Sequence, residues 1–188
     1  AWIHDVDAAV RDNNYGTDLT AVKNLLKKHQ LIESDVHNHN EHIEQVKDHR
    51  MNYAASDHFQ KEEIEERAEQ IIRAFHAIHE PMNRRREVLE EQLAFHQFKR
   101  DIEDELLWIR EKEMQLEQQF DSGHQSALAD IQRMLKRLKT FEGEIQTREP
   151  HLAALATRGH ALIKSDDNNS EAIRALTFEL QGRIQRLK

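Results

Sequence analysis

A regular spacing of apolar side chains constrains this chain more than any other feature. Between positions 19 and 46 the spacing alternates between three and four residues. A repeat of about 3.5 residues places one narrow apolar stripe on a helix, as in coiled coils. The pattern therefore predicts a helix with one buried side and a charged remaining surface. The positions in this ladder are Leu19, Val22, Leu25/Leu26, His29, Ile32, Val36, His39, Ile43 and Val46.

The same pattern occurs twice along the chain. The dipeptide Trp-Ile at positions 2–3 returns at positions 108–109, an offset of 106 residues, and beyond the first loop the offset stays at 109. The change in offset lies next to the predicted loop, where duplicated helical units tolerate length variation. We therefore predict two copies of one structural unit. Corresponding apolar residues are Val22 and Ile131, Leu26 and Leu135, Val36 and Ile145, Ile43 and Leu152, and Ile64 and Ile173.

Each copy is predicted to contain three helical segments, which gives an all-α chain of two tandem three-helix coiled-coil bundles. The breaks before the third segments are SDHFQ (56–60) and SDDNN (165–169). The units are placed at residues 1–82 and 83–188. Because no glycine or turn cluster lies between Ile64 and Leu116, one helix over 61–118 is expected to join them. Pro81 predicts a bend near residues 79–82, and Pro150 a second bend in its own helix.

The bulk composition excludes several functional classes. Charged residues make up 33%, with a net charge of -8 and no extended basic surface, so nucleic acid is not an expected partner. No apolar run approaches the roughly 20 residues of a membrane span, and AWIHDVDAAV does not resemble a signal peptide. The chain has no cysteine, which is compatible with a reducing cytosol. It starts in the middle of the apolar pattern, so we expect it to be a fragment of a longer protein.

Thirteen histidines raise the possibility of a metal site, above all in HNHNEH (37–42). Asp35, His39 and His42 are spaced so that they can share one helix face, but His39 lies on the ladder and His42 does not. Zinc needs three or four converging ligands, so the prediction is a solvated or half-buried histidine cluster. His29 and His39 are interpreted as packing histidines. The alternative hypothesis is that both are buried and neutral, which would make stability fall at acidic pH.

The remaining polar motifs are interpreted structurally. Acidic stretches such as DIEDE (101–105) and KEEIEERAEQ (61–70) are predicted to be solvated helix faces, because a slender bundle offers no pocket to perturb a general acid. The basic cluster NRRR (83–86) is predicted to be a solvated face at the junction. Trp2 and Trp108 should anchor the first helix of each unit. The sequence thus predicts no enzyme and no catalytic, cofactor-binding or metal-binding residue.

The array closely resembles spectrin repeats. The resemblance rests on WI at the start, YGTDLTAVKNLLKKHQLIESDV (15–36), HIEQV (42–46), FHAIHEPM (75–82) and FKRDIEDELLWIREKE (98–113). It covers essentially the whole chain, and LLKKH, DIEDELLWIREKE and HEPM are most similar to spectrin alpha chains, with beta-type spectrins sharing much of the pattern. In the second unit SGHQSAL (122–128) replaces YGTDL. The first unit is truncated in its first helix and the second unit in its third helix. We therefore expect apolar residues of the ladder to be exposed at both ends of the chain.

The resemblance implies a structural rod segment of the spectrin-based membrane skeleton at the cytoplasmic cell cortex. It would be an elastic spacer with a lateral surface for antiparallel pairing with a partner spectrin chain. Actin and ankyrin would be partners through the parent assembly, without membrane insertion. A rod segment of another actin cross-linker, of alpha-actinin or dystrophin type, is the alternative within this class. A histidine-rich metal- or pH-responsive binding module is the alternative outside it.

Overall fold

A computed structural model describes residues 2–54, 60–121, 128–165 and 168–187. The regular elements in these ranges are all α-helices, which confirms the predicted fold class. The predicted breaks at 56–59 and 166–167, and most of the second unit's first loop at 122–127, lie outside the described residues. The helices are α1 (Trp2–Val10), α2 (Leu19–Ala54), α3 (Lys61–Ala77), α4 (His79–Asp121), α5 (Leu128–Ser165) and α6 (Ser170–Leu187).

The helices form two compact units. Contacts between residues divide the chain into Ala1–Leu93 and Ala94–Lys188. The first unit contains α1, α2, α3 and the beginning of α4, and the second contains the rest of α4 with α5 and α6. The prediction that a continuous helix joins the two units is therefore confirmed by α4. The boundary at 82/83, which was placed beside Pro81, stays a prediction.

The helix predicted over 61–118, with a bend near residues 79–82, is divided at one residue. Ile78 separates α3 from α4, although its backbone remains right-handed helical with φ -80° and ψ -18°. Pro81 lies in the first turn of α4, where a missing N–H costs little. Because Pro81 has no N–H, it cannot donate the helical hydrogen bond that would reach across Ile78 to the carbonyl oxygen of Ala77. The division therefore lies next to the bend predicted at residues 79–82, and the backbone continues through it in helical conformation. By contrast, α5 is continuous across Pro150.

The seam of α2 forms the core of the first unit as predicted. Four of its positions stand seven residues apart and are almost completely buried, with exposed fractions of 0%, 1%, 1% and 6% at Val22, His29, Val36 and Ile43. Period-seven burial is what a coiled-coil stripe requires. The cluster around Val36 and Ile43 also contains Val6, Val10, Phe75, Ile78 and Met82.

The second unit has its own core, but one part of its predicted seam is exposed. Ile131 and Leu135 expose 51% and 54% of their surface, whereas Val22, the equivalent of Ile131, exposes 0% and Leu26, the equivalent of Leu135, is partly buried. In the first unit α2 is covered here by the start of α4, since His29 contacts Met82. α6 ends at Leu187, the equivalent of Ile78, so no described residue of this unit corresponds to that cover. The core residues are Phe98, Ile102, Ile109, Leu152, Leu155, Ile173 and Leu180.

The loop between α1 and α2 explains the motif YGTDL. Gly16 adopts φ +86°, a left-handed conformation that glycine reaches without a Cβ penalty. Asp18 then caps α2, because its Oδ1 accepts hydrogen bonds from the backbone N–H groups of Thr20 and Ala21 at 2.8 and 2.9 Å. This short turn directs α2 back along α1 within the first unit.

Candidate functional site

The histidine cluster on α2 supports a tryptophan. The indole of Trp2 stacks on His39 with ring centroids 3.7 Å apart and planes inclined by 16°. Its Nε1–H donates a 2.7 Å hydrogen bond to Asp35 Oδ2, and His39 Nδ1–H donates to the backbone carbonyl of Asp35 at 2.8 Å. His39 is therefore half-buried, as predicted for a packing histidine, while His42 is exposed. Asp35 and His39 together fix the first helix against the second.

The structure gives the suggested metal site no ligand set. His42 lies beside His39, with 5.5 Å between ring centroids, but the inner ring nitrogen of His39 already bonds to a carbonyl. Within the described ranges, no group of three or more His, Cys, Asp and Glu side chains converges as a metal would require. The interpretation of HNHNEH as a solvated or half-buried cluster is therefore the one its geometry favours.

The second unit holds its tryptophan by different chemistry at the equivalent position. Arg148, which corresponds to His39, places its guanidinium 4.8 Å from the centre of the Trp108 ring. Lys112 approaches the same ring at 5.8 Å and pairs with Glu144, the counterpart of Asp35. A cation over an indole face replaces the stacked imidazole of the first unit. Both tryptophans pack against their unit's core, in agreement with their predicted anchoring role.

His29 occupies a buried polar position on the α2 seam. Its Nε2 lies 3.0 Å from the carbonyl oxygen of Met82 and 3.2 Å from Oε1 of Glu33. Both neighbours are acceptors, so Nε2 carries the proton of the neutral ring. The Nδ1 atom is buried and has no hydrogen-bond partner among the described residues. Burial lowers the pKa of His29 below 6.5, and the opposing attraction of Glu33 is smaller.

The prediction that NRRR forms a solvated face is wrong for Arg85, whereas Arg86 is exposed. Arg85 is 6% exposed; its Nη2 donates to the backbone carbonyl of Asn14 at 2.9 Å, and its guanidinium lies 5.3 Å from the ring centre of Tyr15. Arg86 forms a two-pronged pair with Glu33, which raises the arginine pKa. Arg85 falls on the spacing of Ile78, Met82 and Leu89, so the apolar ladder itself could have identified it.

Glu105 is the corresponding exception in the acidic stretch DIEDE. It is 4% exposed and accepts bonds from Nε and Nη2 of Arg148 at 2.8 and 3.0 Å. His151 Nε2 lies 3.4 Å from its Oε1. The hydrogen bond to Glu105 raises the pKa of Arg148. Glu105 stands between Ile102 and Ile109 on the buried stripe of α4, so the solvated-face interpretation is wrong for this residue.

The second unit also has an open surface groove of about 950 Å³ beside Trp108. Its cations are already engaged, Lys112 with Glu144 and Arg148 with Glu105. Three residues of α5 with small side chains line part of the groove. No nucleophile is paired with a base among the described residues that line it. The α5 residues with small side chains that line the groove are Thr140, Gly143 and Thr147.

Comparison with known proteins supports the repeat assignment. The family model described as Spectrin repeat matches residues 1–91 and again residues 93–188. The chain is 28% identical over 187 residues to "Spectrin alpha chain, erythrocytic 1" of Mus musculus, covering 99% of this chain and 8% of that protein. It is 29% identical over 198 residues to "Spectrin beta chain, erythrocytic" of Mus musculus, covering 100% and 9%. A 27% match over 195 residues, covering 100% and 8%, is the "Spectrin beta chain" of Drosophila melanogaster.

The chain therefore spans less than a tenth of the length of these curated relatives. Its similarity to alpha and beta chains is nearly equal, at 28% and 29% identity. None of the described helices combines the length and the apolar character needed to cross a bilayer.

Proposed function

Since the chain belongs to the spectrin repeat family, we propose that it serves as a structural segment of a spectrin-type rod. The observation that carries this proposal is α4, one helix of 43 residues that takes part in both units. Each unit packs its own apolar core against that helix. Because hydrogen bonds inside a helix are cooperative, a helix shared in this way couples the stability of the units that it joins.

The polar chemistry of the chain fits a structural role. Its buried charged groups are held in internal pairs such as Glu105 with Arg148, and the histidine cluster is used to position Trp2. These arrangements orient helices and, in the part of the chain that the structure describes, leave no activated group in a pocket. We infer that the chain acts through its shape and surface, in keeping with a structural family, and not as an enzyme.

The partners follow from the family and belong to the same proposal. The names of the relatives are those of spectrin alpha and beta chains, which supports lateral pairing with a complementary spectrin chain. The parent assembly would then connect to actin and ankyrin and would lie at the cytoplasmic cell cortex. Pairing can be tested by analytical ultracentrifugation of this chain mixed with rod segments of a beta-type spectrin. A complex is expected, and its absence against every rod segment would contradict lateral pairing at these repeats.

The rod proposal is tested by breaking the shared helix. Gln92 lies in α4 next to the division between the units. Gln92→Pro removes a helical hydrogen bond and costs about 3 kcal/mol or more locally, whereas Gln92→Ala keeps the helix and is the matched control. In force-extension measurements the parent and Gln92→Ala are expected to unfold both units in coupled events. Gln92→Pro is expected to separate these events, and identical traces for all three would contradict mechanical coupling through α4.

A further inference from the structure

The first unit contains a polar layer built around the buried His29, where the second unit has a leucine at the equivalent position. We define it as His29 and Glu33 on α2 with Met82, Arg85 and Arg86 on α4. His29 and Arg85 are 1% and 6% exposed, and each has one buried nitrogen without a hydrogen-bond partner among the described residues. The position equivalent to His29 in the second unit is occupied by Leu138, which has no ionisable group. The layer therefore adds a titratable group to one unit only.

The hydrogen bonds of the layer suit the neutral imidazole alone. Nε2–H donates toward Met82 O and Glu33 Oε1, and this uses the ring's single donor. A second proton would have to bind at Nδ1, where no acceptor is present among the described residues. The new N–H would then be buried without a partner, which is a costly state for any polar group and more so for a charged one.

The charges that face His29 do not remove this cost. Glu33 favours the imidazolium, but its carboxylate is already held by the guanidinium of Arg86. Arg85 and Arg86, both on α4, disfavour a further positive charge. From the loop between α1 and α2, Asp12 lies 3.7 Å from Arg85 Nη2 and so interacts mainly with that cation. Burial and the two arginines lower the pKa of His29 by more than the carboxylate of Glu33, which is already paired, raises it.

We propose that the layer is an acid-sensitive latch: protonation of His29 releases the beginning of α4 from α2 in the first unit. The latch lies where α4 starts, within residues 82–86, and this is the segment that leads toward the neighbouring unit. Acidification would loosen the cover over the first turns of α2 and leave the second unit intact. The inference does not depend on the proposed rod function.

The direction of the pH dependence follows from the lowered pKa of His29 in the folded state. The pKa of His29 is lowered in the folded state by burial, while an unfolded histidine titrates near 6.5. The first unit therefore has its full stability above about pH 6.5. Below that value the unfolded chain binds a proton that the folded unit does not. The folding equilibrium then weakens by up to about tenfold per pH unit until the folded pKa is reached.

The latch is tested by hydrogen exchange on the full chain at pH 7.5 and pH 5.5. Amide exchange at residues 82–89 is corrected for intrinsic rates and compared with residues 98–109 of the second unit. Acidification is expected to reduce protection of the first segment by up to about tenfold and to reduce that of the second segment less. Equal loss of protection in both segments, or none in either, would overturn the proposal.

Variants separate titration from packing. His29→Gln keeps an amide donor near the position of Nε2 but cannot titrate, and His29→Leu copies the second unit. Both should abolish the pH-dependent loss of protection at residues 82–89, whatever their effect on overall stability. His37→Leu, at an exposed position of the same helix, is the matched control and should preserve that loss. A pH dependence that persists in His29→Gln would show that another group is responsible.

Discussion

Gly159 lies inside α5 at a point where a side chain would meet the core of the second unit. A Cβ built there would overlap Thr177 Oγ1 and would lie 2.7 Å from Phe98 Cζ. Thr177 and Phe98 are 2% and 0% exposed, so neither has open space to move into. We therefore predict that Gly159→Ala destabilises the second unit, although alanine is the better helix former.

The expected magnitude is the balance of two opposing effects. Helix propensity alone favours alanine over glycine by about 1 kcal/mol. Overpacking a core costs about 1–3 kcal/mol. Relieving the clash by turning Thr177 would break the 2.7 Å hydrogen bond from its hydroxyl to the Ile173 carbonyl, and an unpaired buried hydroxyl costs about 1–3 kcal/mol. Since the chain adopts the cheaper of these routes or a mixture, and the propensity gain offsets about 1 kcal/mol of it, we expect a net loss of about 0–2 kcal/mol.

Gly143 provides the matched control in the same helix. A Cβ built on Gly143 meets no atom within 4 Å, so Gly143→Ala should stabilise by about 1 kcal/mol. Urea unfolding is followed by Trp108 fluorescence in a Trp2→Phe background, which makes the signal specific to the second unit. Thr177→Ala should recover part of the loss caused by Gly159→Ala. Equal stabilisation by both glycine substitutions would refute close packing at Gly159.

Two further substitutions test the loop and the buried ion pair. Gly16→Ala should cost about 1–2 kcal/mol in urea unfolding, because φ is +86° and the new Cβ would lie 2.9 Å from the backbone nitrogen of Val22; an unchanged midpoint would contradict this loop conformation. Arg148→Met should cost about 2–3 kcal/mol, below the range for a fully buried pair because the arginine side chain is 40% exposed. Adding Glu105→Leu should recover most of that loss, and no recovery would show that the buried carboxylate is not its source.

The spacing of apolar residues along the chain was enough to predict most of the fold. The spacing at Val22, Val36 and Ile43 identified a buried stripe, and a stripe of this kind can be satisfied only by partner helices. The offset of 109 residues then identified two such units. Ile131 and Leu135 share the spacing but are exposed, because burial depends on a covering helix as well as on the stripe. A sequence pattern specifies which face is apolar and does not specify what lies opposite.

The polar part of the core was harder to predict, for a physical reason. Arg85 and Glu105 stand on the apolar ladders, but their charge suggested a solvated face. Each is stabilised by a partner from another helix or loop, Asn14 and Arg148 respectively, and such partners are distant in sequence. Burial of a charge is favourable only once that partner is in place. Position on the heptad is therefore a better guide than residue type for these two side chains.

Thiol accessibility tests most directly the claim that heptad spacing decides what this chain buries. The chain has no cysteine, so each single cysteine substitution reports one position. Val36→Cys and Ile43→Cys replace residues that are 1% and 6% exposed, and Leu31→Cys and Met51→Cys replace equally apolar residues that are 71% and 63% exposed. Labelling at positions 36 and 43 is expected to be slow and limited by opening of the first unit, and at 31 and 51 to be as fast as in an unfolded peptide. Equal protection at all four positions would contradict the account.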